Sequence, residues 1–153
     1  MIFVELQTVS DLMTFMPFLN EGLEAGNKYQ VREEHHISSE QFLKQLLQVV
    51  ARPEDDRLIL LATKDNKPVG FIINFRASKP FVERRIVHCY MAYATNDCSN
   101  IMTGLLSYGV DWAKRHGYKE ITCQTARNSG AAWRLFEKRW KFERVATVFS
   151  RMI

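Results

Sequence analysis

Four titratable side chains follow one another in the first third of the chain: Glu33, Glu34, His35 and His36. Carboxylates attract an ammonium group and an imidazole exchanges protons near neutral pH, so this segment could bind an amine and take its proton. The same residue types also suit a loop that is only exposed to water. The sequence therefore indicates either an amine-binding loop or a solvated polar loop.

A second group of candidates lies in residues 82–94, which are rich in β-branched and aromatic side chains. His88 is the only histidine in a predicted strand, where an imidazole is either hydrogen-bonded within the core or turned toward a ligand. Glu83, at the start of the segment, is a further candidate for a general base. Tyr90 and Tyr93 carry hydroxyl groups that either exchange a proton or belong to aromatic side chains that only pack.

Basic side chains dominate the second half of the chain. Residues 1–76 hold 8 Lys and Arg against 11 Asp and Glu, whereas residues 77–153 hold 13 against 6. Such an excess attracts phosphates, nucleic acid or an acidic protein surface. Trp133 and Trp140 could stack on bases, but no nucleic-acid motif accompanies them, so we expect packing and no nucleic-acid binding. The densest basic stretch comprises Arg127, Arg134, Lys138, Arg139, Lys141 and Arg144.

The composition restricts the class of protein. With 46% apolar and 25% charged residues, the chain has the make-up of one globular domain, residues 1–153. Cys89, Cys98 and Cys123 lack CxxC spacing, so we expect free thiols and no metal site. No apolar run approaches the roughly 20 residues that span a membrane. Because no leader-like segment opens the sequence, we expect a cytoplasmic protein.

Hydrophobic periodicity predicts the elements that position these residues. A first strand is followed by a helix that Ser10 and Asp11 could cap and that Pro17 would kink or break. Ser38 and Gln41 have the spacing of a capping box at the start of a second helix. The remaining predicted strands are residues 58–63, 69–75, 82–94, 121–125 and 142–153, with one helix ending before Gly117 and another at residues 131–139.

The element order β-α-α-β-β-β-α-β-α-β favours an α/β (α+β) fold, in which helices cover both faces of a mixed, mostly antiparallel sheet. Three segments carry local patterns in this order: Val69-Gly70-Phe71, Leu105-Leu106 with Trp112-Ala113, and Asn128 with Leu135-Phe136. Together they resemble the x-x-V-G-F strand, the central helix and the N-x-x-A-x-x-L-Y-x-x-x-G-F segment of the GNAT superfamily of acetyl-CoA-dependent N-acetyltransferases.

The resemblance implies a site for acetyl-CoA between two strands. In the family the fourth strand splays from the fifth, and the pantetheine arm pairs with exposed backbone in the gap. The pyrophosphate rests on N–H groups at the start of the central helix, where unpaired donors and the helix dipole attract an anion. The implied contacts are Tyr90, Met91, Ala92, Tyr93, Asp97, Cys98, Ser99, Asn100, Ile101, Met102, Asn128 and Ala131.

The resemblance also implies an amine acceptor, either a small molecule or a protein. The loop from Glu33 to His36 would overhang its pocket, and the candidates for catalytic groups are Glu83, His88 and Tyr90. In the family a tyrosine on the last helix commonly protonates the leaving thiolate. The basic C-terminal stretch would meet the 3′-phosphate of CoA.

Two departures from the family's patterns concern this site. The pyrophosphate loop reads Q/R-x-x-G-x-G/A in the family, whereas Asp97, Asn100 and Met102 stand at its three defined positions. Asn100 tolerates a left-handed backbone, but Asp97 would repel a phosphate and could cap the helix itself. Phe136 stands in place of the tyrosine and has no proton to donate.

These departures leave two functions open. The first is a GNAT-type enzyme that moves an acetyl group from acetyl-CoA to an amine. The second is a non-catalytic GNAT-like protein that has lost CoA binding and serves as a binding or structural component of a larger assembly, with its basic C-terminal half as the contact surface. Such an assembly could be viral, which would make the protein virion-associated.

Overall fold

The structure of the protein is a computed structural model that describes residues 1–30, 32–78, 84–95, 98–124, 130–145, 151 and 153. The strands in this part of the chain are β1 (Ile2–Glu5), β2 (Arg57–Lys64), β3 (Lys67–Ala77), β4 (Ile86–Ala94) and β5 (Glu120–Cys123). The helices are α1 (Val9–Asn27), α2 (Ser39–Val50), α3 (Cys98–Arg115) and α4 (Gly130–Arg134), and a π-helical turn (Leu135–Arg139) follows α4 directly.

The strands form one sheet in the order β1-β2-β3-β4-β5. All neighbours are antiparallel except β4 and β5, which are parallel. The predicted hairpin is confirmed, because Asp65 and Asn66 have positive φ values of 51° and 61° between β2 and β3, as a tight two-residue turn requires. The predicted fold class, a mixed and mostly antiparallel sheet with helices, is also confirmed.

Helices cover both faces of the sheet. α1 and α2 bury a cluster on one face that includes Leu19, Phe42 and Phe71. α3 buries a second cluster on the other face, which includes Ile72 and Leu105. Full burial of one such side chain contributes about 1.5–3 kcal/mol, so these two clusters hold the helices against the sheet.

Helix α1 runs without interruption through Pro17, so the predicted break into two pieces is wrong. Proline removes one N–H donor from the helix. Met16 and Phe18 on either side are buried in the core, however. Their burial is stabilising and offsets the lost hydrogen bond.

Side chains cap both α1 and α2 at their N-termini. The N-cap of α1 is Thr8 rather than the predicted Ser10: the Asp11 amide donates to Thr8 Oγ1 at 3.0 Å, and the Thr8 amide donates to Asp11 Oδ2 at 2.9 Å. The predicted capping box of Ser38 and Gln41 is confirmed at the start of α2. Each cap supplies partners for N–H groups that the helix leaves unpaired.

The C-terminal end differs from the strand predicted for residues 142–153. Residues 142–145 form no strand, and residues 146–150 and 152 lie outside the described residues. The chain instead folds back on the last helix, where Arg144 pairs with Glu137 at 3.3 Å. The Arg144 guanidinium carbon also lies 4.3 Å from the ring centroid of Trp133. Residues 142–145 are thus placed by contacts with the preceding helical segment, and the rest of the predicted strand stays a prediction.

Lys141 follows the π-helical turn with a positive φ of 60°. A side chain in this left-handed region costs about 1–2 kcal/mol, which glycine avoids, although glycine also has more entropy in the unfolded chain. We expect Lys141→Gly to raise the free energy of unfolding by about 0.5–1 kcal/mol. Thermal unfolding measures this, with Lys138→Gly inside the turn as a control that should lose stability. A loss of stability in both variants would contradict the argument from φ.

Candidate functional site

The pairing between β4 and β5 is short. It runs from the pair Ile86–Glu120 to the pair Cys89–Cys123, where β5 ends. β4 continues to Ala94 and stays paired with β3 on its other side. Within the described residues, no strand pairs with residues 90–94 on the β5 side. This backbone edge can therefore form hydrogen bonds with a ligand.

A β-bulge lies where the unpaired edge begins. Met91 pairs with Ile73 and Cys89 pairs with Asn74, so Tyr90 has no partner on β3. Tyr90 and Met91 consequently both pack against the cluster under α1 and α2. Bulges bend a strand and re-aim its side chains. Here the bulge places a phenol at the start of the unpaired edge.

Tyr90 carries a phenol proton and contacts both a polar and an aromatic side chain. Its hydroxyl donates a hydrogen bond to Oε1 of Gln45 on α2, and its ring centroid lies 5.8 Å from that of Phe75. Burial raises the pKa of Tyr90 above its ordinary value of 10.0. A phenol is protonated at neutral pH with or without this shift, so Tyr90 has a proton that it could donate and is not a base.

A cavity of about 210 Å³ lies between α2 and the ends of β3 and β4. Gln45 and Gln48 on α2 and Arg52, two residues beyond its end, are spaced by three and four residues and form a polar stripe along one side of the cavity. The floor is apolar and the phenol of Tyr90 forms part of the wall. The lining residues are Gln45, Leu46, Gln48, Val49, Arg52, Phe75 and Tyr90.

His88 lies on the same face of the sheet as Tyr90. Its Nδ1 is 3.1 Å from Oγ1 of Thr122 on β5, and its ring centroid is 6.0 Å from that of Phe75. The ring is half-buried and does not line the cavity. The structure thus brings two predicted catalytic candidates, His88 and Tyr90, into contact with the same phenylalanine, Phe75.

The first turns of α3 are regular helix. α3 begins at Cys98, so Asn100 and Met102 are helical rather than part of a glycine-like loop. Asn100, which as an asparagine would tolerate a left-handed backbone, is helical here, and positive φ among the described non-glycine residues occurs only at Asp65, Asn66 and Lys141. At Asn100 and Met102, where the family has small residues, the backbone is helical and does not require the conformational freedom of glycine.

The segment after α4 lies against these turns of α3. Arg139 Nη2 donates to Asn100 Oδ1 at 3.2 Å, and Trp140 Nε1 donates to Thr103 Oγ1 at 3.2 Å. A guanidinium therefore lies beside a helix N-terminus, where backbone N–H groups lack intrahelical partners and carry the positive end of the dipole. Both features attract an anion to this end of α3.

Phe136 is part of an aromatic cluster. Its ring centroid lies 5.1 Å from that of Trp140 at 89° and 5.8 Å from that of Phe142 at 69°. Phe142 comes six positions after Phe136, one more than in the resembling motif. The π-helical turn accommodates the extra residue, as such turns do within helices. The cluster offers packing and no hydroxyl group at this position.

The other residues implied for acetyl-CoA have mixed positions. Met91 and Tyr93 are half-buried along the unpaired edge, and Ala92 is exposed. Ile101, on α3, is buried, whereas Ala131, on α4, is exposed. Outside the described residues lie Glu83, Asp97 and Asn128, together with the side chains of Cys98 and Ser99.

The loop between α1 and α2 is exposed. Residues Glu33–His35 form a short 3₁₀ turn, and Asn27 holds the loop through two hydrogen bonds to the backbone of Ile37, at 2.9 and 3.1 Å. None of the four predicted loop residues Glu33, Glu34, His35 and His36 lines the cavity. Their role toward an amine stays a prediction.

Sequence reasoning missed the polar stripe of α2 and the position of Arg139. The stripe had a signal, since Gln45, Gln48 and Arg52 recur at helical spacing beside the buried Leu46 and Val49. No sequence signal indicated that Arg139 lies beside the start of α3, because Asn100, to which it donates, is distant along the chain.

The described residues offer neither a cluster of metal ligands nor a membrane-spanning helix. No group of three or more His, Cys, Asp or Glu side chains in them could hold a metal ion. In the same residues, no helix has both the length and the apolar character to cross a bilayer.

A family model identifies the family of the chain, and solved structures resemble it in fold. The sequence model of the acetyltransferase (GNAT) family matches residues 22–142. No curated protein sequence is significantly similar to the chain. Solved structures match in fold: a tetramutant of the BH1408 protein from Bacillus halodurans has a TM-score of 0.75 at 15% identity, with 100% of both chains covered.

Two further neighbours are acetyltransferases by description. A ribosomal-protein-alanine N-acetyltransferase from Brucella melitensis biovar Abortus 2308 has a TM-score of 0.68 at 17% identity, and the match covers 100% of both chains. Aminoglycoside N-acetyltransferase AAC(6')-Iy, in complex with CoA, has a TM-score of 0.71 at 11% identity, with 99% of this chain and 93% of that one covered. At these identities the likeness concerns the fold.

Proposed function

The chain belongs to the acetyltransferase (GNAT) family, and we propose that it transfers an acetyl group from acetyl-CoA to an amine. The observation that carries the proposal is the unpaired edge of β4, residues 90–94, which begins at the Tyr90 bulge. An edge of free backbone groups can pair with the amides of a pantetheine arm as it would with a strand. Aminoglycoside N-acetyltransferase AAC(6')-Iy, a structural neighbour solved in complex with CoA, supports acetyl-CoA as the co-substrate.

The proposed position of the pyrophosphate is the N-terminus of α3. The backbone N–H groups of residues 98–100 supply donors there. Arg139, bonded to Asn100 at 3.2 Å, would supply the positive charge that Asp97 does not. The edge of β4 and the start of α3 follow each other along the chain, so one elongated ligand can contact both.

The proposed reaction uses the tyrosine at the bulge. The amine nitrogen attacks the thioester carbonyl carbon, a C–N bond forms, and the C–S bond breaks. Tyr90 donates its proton to the leaving sulfur, which replaces the function of the tyrosine absent at Phe136. The proton lost by the nitrogen goes to His88 or to solvent and returns to Tyr90 after the transfer.

The size of the cavity bears on the acceptor. Some structural neighbours act on aminoglycosides, which are large polyamines. A cavity of about 210 Å³ is below the roughly 300–1,000 Å³ of typical ligand pockets. This supports an acceptor smaller than an aminoglycoside.

Replacing Arg139 is expected to weaken acetyl-CoA binding. Loss of its charge beside the α3 N-terminus should raise Kd about three- to tenfold, and the effect should shrink as salt screens the exposed charge. Calorimetric titration of Arg139→Gln at two ionic strengths measures this. Lys44→Gln is the control, because this exposed lysine on α2 pairs with Glu40 at 3.3 Å and has no proposed contact with CoA, and an unchanged Kd is expected. Equal Kd values for Arg139→Gln and the unmodified protein at low salt would remove Arg139 from the phosphate site.

The alternative function, a non-catalytic protein of this family, is supported by Phe136. Its ring packs with Trp140 and Phe142, so this position serves the aromatic cluster. Titration with acetyl-CoA and CoA at low salt separates the two functions. The enzyme requires saturable heat or a thermal shift, whereas no effect at millimolar ligand would favour the non-catalytic protein, with its basic C-terminal half as a partner surface.

A further inference from the structure

We propose that the amine acceptor is a small molecule that carries a carboxylate, and that Arg52 binds this carboxylate. The inference rests on the proposed function and concerns the cavity between α2, β3 and β4. It follows from where the cavity lies, from the hydrogen-bonding character of its polar groups, and from its charge.

The cavity adjoins the point where the acetyl group would be delivered. Tyr90 is the bulge residue at the start of the unpaired edge, and its side chain also lines the cavity. A thioester whose pantetheine pairs with residues 90–94 would end close to this residue. An acceptor must place its nitrogen at the thioester carbonyl, so the cavity is the space beside the reacting atoms that can hold the rest of the acceptor.

Donors outnumber acceptors among the polar groups of the cavity, although Gln48 also offers an acceptor oxygen. Gln45 uses Oε1 to accept the hydrogen bond from the Tyr90 hydroxyl, which leaves its NH₂ group as the free part of the amide. Arg52 has donors only. An ammonium group needs acceptors, whereas a carboxylate needs donors, and the cavity is therefore better matched to an anion.

The charge of Arg52 has no carboxylate partner in the part of the chain that the structure describes. The nearby Asp56 is engaged by Arg76 at 3.7 Å and by Arg85 at 3.6 Å. None of the residues lining the cavity is acidic. The cavity thus has a net positive charge, which disfavours a cationic acceptor and favours an anionic one.

Two contacts hold the Arg52 guanidinium in place. Its Nη1 donates to the backbone oxygen of Arg76 at 3.0 Å, and its carbon lies 4.8 Å from the ring centroid of Phe75. No hydrogen bond of Nε or Nη2 is formed with the described residues. A guanidinium fixed in this way can offer its remaining donors as a fork to one carboxylate.

The size of the cavity, about 210 Å³, restricts the acceptor to a few carbon atoms between amine and carboxylate. The test is a series of three matched acceptors at each of several chain lengths: an ω-amino acid of two to six carbons, its carboxamide, and the diamine of the same length. Release of the CoA thiol and the mass of the acetylated product give kcat/KM for each compound with the full chain and acetyl-CoA.

The expected result is that, at the best length, kcat/KM for the amino acid exceeds that for the amide at least tenfold, with the diamine lowest. In Arg52→Gln, kcat/KM for the amino acid should fall about 10- to 100-fold, the range for losing a hydrogen bond to a charged group. The value for the amide should change less than threefold. The amide reaction of the same variant therefore reports whether the fold and the acetyl-CoA site are intact.

Lys44→Gln is the matched control, because it removes one positive charge from α2, the helix that precedes Arg52, at a side chain paired with Glu40 at 3.3 Å and outside the cavity. It should leave all three acceptors unaffected. Acetyl-CoA binding combined with a preference for the diamine or the amide would overturn this inference and leave the proposed function standing. Failure to bind acetyl-CoA would overturn both.

Discussion

Tyr90→Phe is expected to lower kcat about 100-fold, at the low end of the roughly 10²–10⁴ that a positioned acid contributes. The variant keeps the ring that packs against Phe75 and removes only the hydroxyl, whose partner Gln45 is exposed on α2. Stability should change little, because an exposed amide can bond to water instead. The Kd of acetyl-CoA should also be unchanged, since the proposed binding contacts of residues 90–94 are made by the backbone.

Steady-state kinetics with acetyl-CoA and calorimetry on the same preparation measure these two quantities. Tyr108→Phe is the matched control, because that hydroxyl bonds to Glu5 at 2.7 Å on the α3 side of the sheet. The kcat of Tyr108→Phe should stay within about twofold of that of the unmodified protein. Burial raises the pKa of Tyr90 above its ordinary value of 10.0. Ionisation of Tyr90 should therefore reduce the activity of the unmodified protein only above that pH. An unchanged kcat in Tyr90→Phe would remove Tyr90 as the proton donor.

Gly70→Ala is expected to lower the free energy of unfolding by about 2 kcal/mol, within the 1–3 kcal/mol typical of overpacking. A Cβ at this position would lie 2.7 Å from Cγ2 of Ile101, 2.9 Å from the backbone oxygen of Tyr93 and 3.0 Å from Cδ1 of Leu105. The backbone oxygen of Tyr93 belongs to the paired strand β4 and cannot move alone. The strand or α3 must therefore shift.

Thermal unfolding measures the loss, which should lower Tm by about 5 °C for a chain of this size. Gly26→Ala is the matched control: nothing lies within 4 Å of its added Cβ, and the position is within α1. That variant should gain about 0.5–1 kcal/mol from the better helix propensity of alanine. A Tm in Gly70→Ala equal to that of the unmodified protein would show that β3 and α3 are less closely packed than described.

Features encoded locally could be predicted from the sequence. The turn at Asp65 and Asn66, the capping box at Ser38 and the end of α3 at Gly117, with φ of 78°, each depend on a few neighbouring residues. The order of the elements then restricted the fold to a mixed sheet between helices, because each element has an apolar side to bury.

Features that depend on the packing of the folded chain could not be predicted from the sequence. The continuous α1 at Pro17 depends on burial of its neighbours in the core. The position of Arg144 depends on side-chain contacts with Glu137 and Trp133 in the preceding helical segment, which the alternating pattern does not encode. The alternating residues of the last segment have the same pattern whether or not they join a sheet.

The candidate site divides in the same way. Tyr90 and His88 were found because aromatic and imidazole groups stand out in a strand. The bulge that aims Tyr90 depends on the register between β3 and β4, which no local pattern encodes. The sequence does not indicate that Arg52 lies over Phe75 and lines a cavity with Tyr90, because these residues are distant along the chain.

The central claim is that acetyl-CoA pairs with the unpaired edge of β4. Hydrogen exchange of backbone amides, with and without saturating acetyl-CoA, tests it directly. We expect slower exchange within residues 90–94 and at the start of α3, and no change in β1, whose outer edge is also unpaired among the described strands. Bound acetyl-CoA without added protection in residues 90–94 would contradict the claim.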